Sequence, residues 1–193
     1  MLRHHRILNH PVTRMLAATV ISGALAACAT SPAPTGMKVS SSAFIDGAAI
    51  PVEYGGNGGT CGGRNVSLPV AWSNLPPKAR SVAVLVLDSD GAGGLGVSHW
   101  VAYNIDAARG QLKSGEAQVT GPGFTVGVNV AVADVYRGMC PPVGDVPHHY
   151  VLTVIASDLA PGALPAGLDR NALLAALKGH ALGGQSVIGR YGR

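Results

Sequence analysis

The pattern that most constrains the fold is a series of short apolar runs separated by turn-forming residues. Residues 81–87, 100–105 and 150–156 are apolar and rich in β-branched or aromatic side chains, which predicts three strands. Residues 66–72 and 125–132 are weaker strand candidates. The chain has 27 glycines and 13 prolines, which favour tight turns over long helices. Strands at this spacing predict a mostly β protein folded as a sandwich.

Only one segment has a strong helical pattern. Asp169 can cap a helix, and residues 171–182 carry Leu173, Leu174, Leu177 and Leu182 on one face. We therefore expect a helix at the C-terminal end of the sandwich.

The N-terminal segment is typical of an export signal. Residues 1–14 are basic and polar, and residues 15–27 form an apolar run that is too short to span a bilayer. Leu25, Ala26 and Ala27 precede Cys28, as in the lipobox of bacterial lipoproteins, where the cysteine is lipidated after cleavage. The alternative is an ordinary signal peptide with a chance cysteine. We predict a lipoprotein signal peptide at residues 1–27, a tether at residues 28–37 and a folded domain at residues 38–193.

Charge and sorting signals limit the partners of the mature protein. Arg3, Arg6 and Arg14 lie in the segment to be removed, which leaves 11 of the 14 basic residues against 10 acidic ones. Because no basic stripe remains, a nucleic-acid partner is not expected.

Ala29 follows the lipidation site, and similarity to enteric sorting signals implies the outer membrane. Acyl chains on Cys28 would hold the protein to the periplasmic face of that membrane in the bacterial cell envelope.

Two further cysteines, Cys61 and Cys140, lie in the predicted domain. An exported compartment permits a disulfide between them. Two free, buried thiols are an equal alternative, because the sequence does not show whether the two residues meet.

Polar residues concentrate where the predicted strands begin and end. Asp88 and Asp90 follow the first strong strand, His99 opens the next, and His148 and Tyr150 open the third. Taken singly, each has an ordinary structural role as a turn former, a buried histidine or a core tyrosine. Together they predict a small polar pocket, because loops at strand ends commonly carry binding sites.

The residue types in this pocket favour an anion. Histidine, tyrosine and the N–H groups of glycine-rich loops can donate hydrogen bonds to a phosphate or carboxylate. The aspartates would then have to orient a histidine, be protonated, or bind the cationic end of a zwitterionic ligand.

In order and spacing, several motifs of the chain resemble the phosphatidylethanolamine-binding protein (PEBP) family, in its bacterial Raf-kinase-inhibitor-like branch (YbhB/YbcL type). The resemblance covers roughly residues 38–193. The matching segments are residues 61–67 with Trp72, residues 75–76 and 81–90, residues 99–104, residues 136–144, residues 148–151 and residues 181–191.

The family resemblance implies a sandwich of two antiparallel sheets with a C-terminal helix and a pocket for an anion. Matched by motif, the ligand-binding residues are Asp88, Asp90, His99, Cys140, His148 and Tyr150. Cys140 is implied to contribute its backbone N–H. No cofactor and no metal are implied.

Three positions depart from the family pattern. The loop Asp88-Ser89-Asp90-Gly91-Ala92 lacks both prolines of the family's Asp-Pro-Asp-Ala-Pro motif, so we expect a more flexible pocket rim. His149 replaces an arginine, which removes a fixed charge and a bidentate donor. Met139 replaces a proline before Cys140.

The leading functional hypothesis is non-catalytic binding of a small anionic or phosphate-bearing ligand, similar to a phospholipid headgroup. A metal-dependent hydrolase is an alternative, since two aspartates and two histidines could hold a metal ion. No HExxH or GxSxG motif supports it. A third possibility is inhibition of, or partnership with, another envelope protein.

Overall fold

The computed structural model describes residues 36–193. The predicted signal peptide, the lipidation at Cys28 and most of the tether lie outside these residues. The strands are β1 (Lys38–Ser40), β2 (Val70–Ser73), β3 (Ser81–Asp88), β4 (Val97–Asp106), β5 (Gln111–Leu112), β6 (Thr125–Val126), β7 (His148–Ser157) and β8 (Ala181–Tyr191). The helices are a single turn, α1 (Gly91–Gly94), and the regular helix α2 (Arg170–Leu177), with 3-10 turns at Val52–Tyr54 and Ala107–Arg109.

The strands form two antiparallel sheets. The smaller sheet has the order β1-β2-β5, and the larger has the order β6-β4-β3-β7-β8. The mostly β sandwich predicted from the sequence is confirmed.

Strand β3 is buried on both faces, as its continuous apolar run predicts. Val84 and Val86 on one face pack in the main core, which contains Trp72 of the smaller sheet. Ala83 and Leu85 on the other face pack with leucines of α2. The helix therefore covers the outer face of the larger sheet, and the smaller sheet covers its inner face.

Helix α2 is shorter than the sequence indicated. Asp169 caps it, accepting a hydrogen bond from the Ala172 N–H at 2.7 Å, but the helix ends at Leu177. The chain turns at Gly179, whose φ is +85°, and then forms β8. Strand β8 pairs with β7 from Tyr191 to Ala181. Leu182 is therefore part of a strand, because these interstrand hydrogen bonds stabilise the extended backbone, although its spacing from the other leucines is helical. The helix thus lies near the C-terminus, but the last element is a strand.

Antiparallel pairing brings the predicted site residues to one end of the larger sheet. Asp88, the last residue of β3, is opposite Val97 at the start of β4 and Tyr150 near the start of β7. Within residues 36–193, no helix has the length and apolar character that a membrane span requires.

Candidate functional site

A cavity of about 430 Å³ lies at this end of the larger sheet. It brings together five of the six residues that the sequence singled out as ligand-binding, all except Tyr150. The cavity is lined by Asp88, Asp90, Gly91, Ala92, Gly93, Val97, His99, Val130, Arg137, Cys140, Pro141, Pro142, Asp145 and His148.

Asp88 organises the cavity through both of its carboxylate oxygens. Its side chain is 5% exposed. Its Oδ1 accepts hydrogen bonds from the N–H groups of Asp90 at 3.0 Å and Gly91 at 2.9 Å, which fold the loop that follows β3. Its Oδ2 lies 2.8 Å from Nδ1 of His148. Asp88 therefore positions a histidine, which is one of the three roles open to a carboxylate facing an anion.

His148 is held as a donor by two carboxylates. Its Nδ1 donates to Asp88, which leaves Nε2 for the cavity, where Oδ2 of Asp145 is 3.5 Å away. Burial disfavours the imidazolium, but the hydrogen bonds to Asp88 and Asp145 and the charges of Asp88 and Asp90 outweigh it and raise the pKa of His148. The ring is therefore suited to carry a positive charge towards a bound anion.

His99 has the opposite character. Burial lowers its pKa, and the positive charge of Arg137 acts in the same direction. Its Nδ1 donates to the carbonyl oxygen of Arg137 at 2.9 Å, so the neutral ring has its lone pair on Nε2, which is 4.0 Å from Oδ2 of Asp88. The site thus pairs one histidine that favours the charged form with one that favours the neutral form.

Tyr150 lies beneath the cavity and does not line it. Its ring is 1% exposed and packs edge-on against His99, with ring centroids 5.3 Å apart. Its hydroxyl has no hydrogen-bond partner among the described residues. Burial and the negative charge of Asp88 raise its pKa. In this geometry Tyr150 supports the His99 ring, and its direct contact with a ligand stays a prediction.

Asp90 is bound to the residue that replaces the family arginine. Its Oδ2 accepts hydrogen bonds from the N–H of His149 at 2.6 Å and from Nδ1 of His149 at 3.0 Å. The backbone hydrogen bond is the main cause that lowers the pKa of Asp90. The rest of this loop includes Ala92, which has a φ of +54°.

Cys61 and Cys140 form a disulfide in the structure, which favours the bridge over the alternative of two free thiols. Cys140 lines the cavity and is half-buried. No described residue accepts a hydrogen bond from its backbone N–H. Because Cys140 lines the cavity, this N–H remains available to a ligand.

The loops around the cavity carry exposed apolar side chains. Three loops contribute to the cavity lining, with Ala92 and Gly93 from the first, Val130 from the second and Pro142 from the third. The same loops also carry large apolar side chains. The exposed members are Leu95 (90%), Val130 (49%), Val132 (85%), Val143 (72%) and Val146 (80%).

Two charged residues of the cavity were not identified from the sequence. Arg137 and Asp145 both line it, and both lie in or beside the segment that carries the family motif around Cys140. Their position in that motif was the available signal. The described residues contain no group of three or more His, Cys, Asp or Glu side chains arranged to hold a metal ion.

The family model for phosphatidylethanolamine-binding protein matches residues 40–192. The UPF0098 protein of Methanothermobacter thermautotrophicus is 33% identical over 159 residues, which cover 81% of this chain and 99% of that protein. LppC of Mycobacterium tuberculosis, described as a candidate lipoprotein, is 37% identical over 141 residues, or 70% of this chain. The match spans 65% of the length of LppC.

Two solved structures have a similar fold. Escherichia coli YbcL, described as a member of the mammalian PEBP family, has a TM-score of 0.75 and 26% identity, covering 81% of this chain and 98% of YbcL. A candidate PEBP homolog from Chlamydia trachomatis has a TM-score of 0.71 and 28% identity, covering 82% and 98% of the two chains. The chain therefore belongs to the phosphatidylethanolamine-binding protein family, in the YbhB/YbcL-type branch that its motifs indicated.

Proposed function

We propose that the protein is a non-catalytic binding module for a small phosphate-bearing ligand similar to a phospholipid headgroup, held in the cavity at the end of β3. The observation that carries this proposal is the Asp88–His148 pair, which turns a histidine with a raised pKa towards a polar cavity. Charge-assisted hydrogen bonds from such a ring favour a phosphate oxygen. The free N–H of Cys140 adds a second donor.

The apolar rim supports a ligand that lies at a lipid surface. Leu95, Val132 and Val146 are each at least 80% exposed, and such side chains lose water when they enter the headgroup region of a bilayer. A membrane location also agrees with the lipobox at Cys28 and with the similarity to LppC. In this proposal the protein is anchored through Cys28 at the periplasmic face of the outer membrane.

Binding can be tested with the full chain purified in detergent. Titration calorimetry with inorganic phosphate, phosphorylethanolamine and vesicles of phosphatidylethanolamine measures affinity for the free ion, the headgroup and the lipid. We expect the wild type to bind at least one phosphate probe. We expect His148→Asn to weaken binding at least tenfold, because the amide imitates the donor to Asp88 but lacks the charged Nε2.

The other end of β7 offers a matched control. His180 pairs with Asp158 at the same distance of 2.8 Å, next to the last residue of that strand, so His180→Asn removes a more exposed His–Asp pair far from the cavity. Its binding should equal that of the wild type. Absence of binding by the wild type, or equal loss in both variants, would contradict the proposed site. Loss of palmitate labelling in Cys28→Ser tests the anchor, and unlabelled wild type would contradict it.

A further inference from the structure

We propose that Arg137 is a phosphate-binding residue of this site, placed where the candidate cavity meets a second cavity that receives the organic part of the ligand. The inference rests on the proposed function, because it concerns how the same ligand is held. The second cavity measures about 220 Å³ and shares Arg137 and Cys140 with the first. Because Arg137 lines both cavities, its long side chain can reach a ligand in either one.

Arg137 is an exposed cation without an acidic partner. Across residues 36–193, no carboxylate lies within 4.0 Å of its guanidinium. The three carboxylates of the cavity are already engaged: Asp88 and Asp145 with His148, and Asp90 with His149. The fixed positive charge of Arg137 is therefore available to an incoming anion.

The guanidinium lies close enough to the site to affect its titration. The charge of Arg137 is one of the causes that lower the pKa of His99, although burial is the larger one. A phosphate placed near His99 and His148 would therefore also lie within the field of Arg137.

The backbone that carries Arg137 is fixed on both sides. Its N–H donates to the carbonyl oxygen of His99 at 3.0 Å, and its own carbonyl oxygen accepts from the ring of His99 at 2.9 Å. The next N–H, that of Gly138, donates to Oδ1 of Asn65 at 2.7 Å. Because the main chain is already ordered, binding needs to order only the arginine side chain.

Arg137 also supplies what the site lacks at position 149. His149 stands where the family motif has an arginine, and it lies against Asp90 rather than offering a planar, permanently charged donor. Arg137 provides that donor from the segment before Cys140. The site therefore carries a permanently charged donor at position 137, although position 149 has none.

The lining of the second cavity combines amide side chains with glycine backbone. It is lined by Gly56, Asn57, Gly58, Cys61, Asn65, Arg137, Gly138 and Cys140. A Cβ at position 138 would lie 2.5 Å from the carbonyl carbon of Gly55, so only glycine leaves the wall in this position. Amide and backbone groups of this kind suit a hydroxylated or otherwise polar substituent of a phosphate ester.

The test compares Arg137→Gln and Arg137→Lys with the wild type, using the same calorimetric titrations and glycerophosphorylethanolamine as an additional ester. We expect Arg137→Gln to lose at least tenfold in affinity for every phosphate probe. We expect Arg137→Lys to lose less, since it keeps the charge but not the bidentate geometry. The affinity of Arg137→Gln should also depend less on salt concentration than that of the wild type.

Arg80→Gln is the control, because Arg80 is an exposed arginine at the opposite end of β3. It should bind like the wild type. Wild-type affinity in Arg137→Gln, with binding still weakened by His148→Asn, would overturn this inference and leave the proposed function standing. A wild type that binds no phosphate probe would overturn both.

The role of the second cavity has its own variant. Asn57→Trp should fill it and weaken binding of glycerophosphorylethanolamine while inorganic phosphate binds as before. Equal affinity of the variant and the wild type for the ester would overturn this part of the inference. In that case, the phosphate probes whose affinity still falls in Arg137→Gln show whether the free ion or the headgroup is the ligand.

Discussion

Asp88 and His148 show how one carboxylate can serve a site that we propose to bind anions. Asp88 satisfies two backbone N–H groups with one oxygen and the ring of His148 with the other. Its negative charge is therefore used within the protein, and it stabilises the charged form of His148. Removing His148 would leave this nearly buried carboxylate short of a partner.

We expect the stability that this pair contributes to depend on pH. Because the pKa of His148 is raised in the folded state, its contribution is complete below about pH 6.5, the unfolded value. The contribution is lost as the pH rises through the folded-state pKa. At pH 5.5, His148→Ala, which removes the donor to Asp88 altogether, should lower the free energy of unfolding by about 2 kcal/mol, as expected for a hydrogen bond to a charged group.

Urea unfolding of the wild type and the variant between pH 5.5 and pH 9 measures this difference. The comparison is needed because His99 acts with the opposite sign: its lowered pKa removes stability as the pH falls below about 6.5. A difference between wild type and variant that stays constant over this range would contradict the assignment.

At the residue scale, the sequence identified five of the seven charged, histidine or cysteine residues that line the cavity. Asp88, His99, Cys140 and His148 were found because their residue types are uncommon in this chain and coincide with strand ends and family motifs. Arg137 was not selected, because an exposed arginine in an irregular segment follows no periodic pattern. Its proposed role in binding phosphate depends on the finding that no carboxylate within residues 36–193 pairs with its guanidinium. Only the folded structure shows this.

Among the elements, the loop between β3 and β4 is the one that departs most from the family pattern. Position 92, a proline in the family motif, is Ala92 with a φ of +54°. Position 89, the other proline, is Ser89, whose N–H donates to the carbonyl oxygen of His149 at 3.0 Å. The loop therefore uses backbone features that proline cannot provide. The greater flexibility expected for it stays a prediction.

Restoring the second family proline should therefore destabilise this protein. Proline holds φ near −65°, so Ala92→Pro should lower the free energy of unfolding by about 3 kcal/mol. Ala92→Gly, which adopts the positive φ freely, should remain within about 1 kcal/mol of the wild type. Chemical denaturation measures both. Wild-type stability of Ala92→Pro would mean that the loop adopts another conformation in solution.

How well an element could be predicted depended on its length and composition. Strands β3, β4 and β7 have eight to ten residues with strong apolar or β-branched content, and the sequence located all three. Strands β1 and β5 have three and two residues, too few to establish a period. The sequence indicated helix over the start of β8, because Gly183, Gly184 and Gly189 weaken its strand pattern. Gly189 is needed there, since a Cβ would lie 2.4 Å from the side chain of Ile50.

For the whole molecule, one wall of the cavity is fastened to a distant part of the chain. The Cys61–Cys140 disulfide joins residues 79 positions apart. Beside it, the guanidinium of Arg193 donates to the carbonyl oxygens of Thr60 and Pro141. Both links connect the segment before β2 with the segment before β7.

Loss of this disulfide should cost stability and affinity together. Closing a loop of this size restricts the unfolded chain, so Cys61→Ala with Cys140→Ala should lower the free energy of unfolding by roughly 4 kcal/mol. Phosphate affinity should also fall, because Cys140 lines the cavity. Urea unfolding and calorimetry measure the two effects.

Dithiothreitol provides the control for this prediction. It should reproduce both losses in the wild type and have no effect on the double variant. A reduced wild type with unchanged stability would contradict the prediction.

The cavity is lined by residues from at least four separate segments, between Asp88 and His148. An unfolded chain cannot assemble such a site, so a true ligand binds the native state alone. By mass action, a ligand at a concentration of one hundred times its dissociation constant raises the free energy of unfolding by about 2.7 kcal/mol. The melting temperature thus reports how much of the protein has ligand bound, and a thermal-shift screen of metabolites can identify the natural ligand whatever its chemical class.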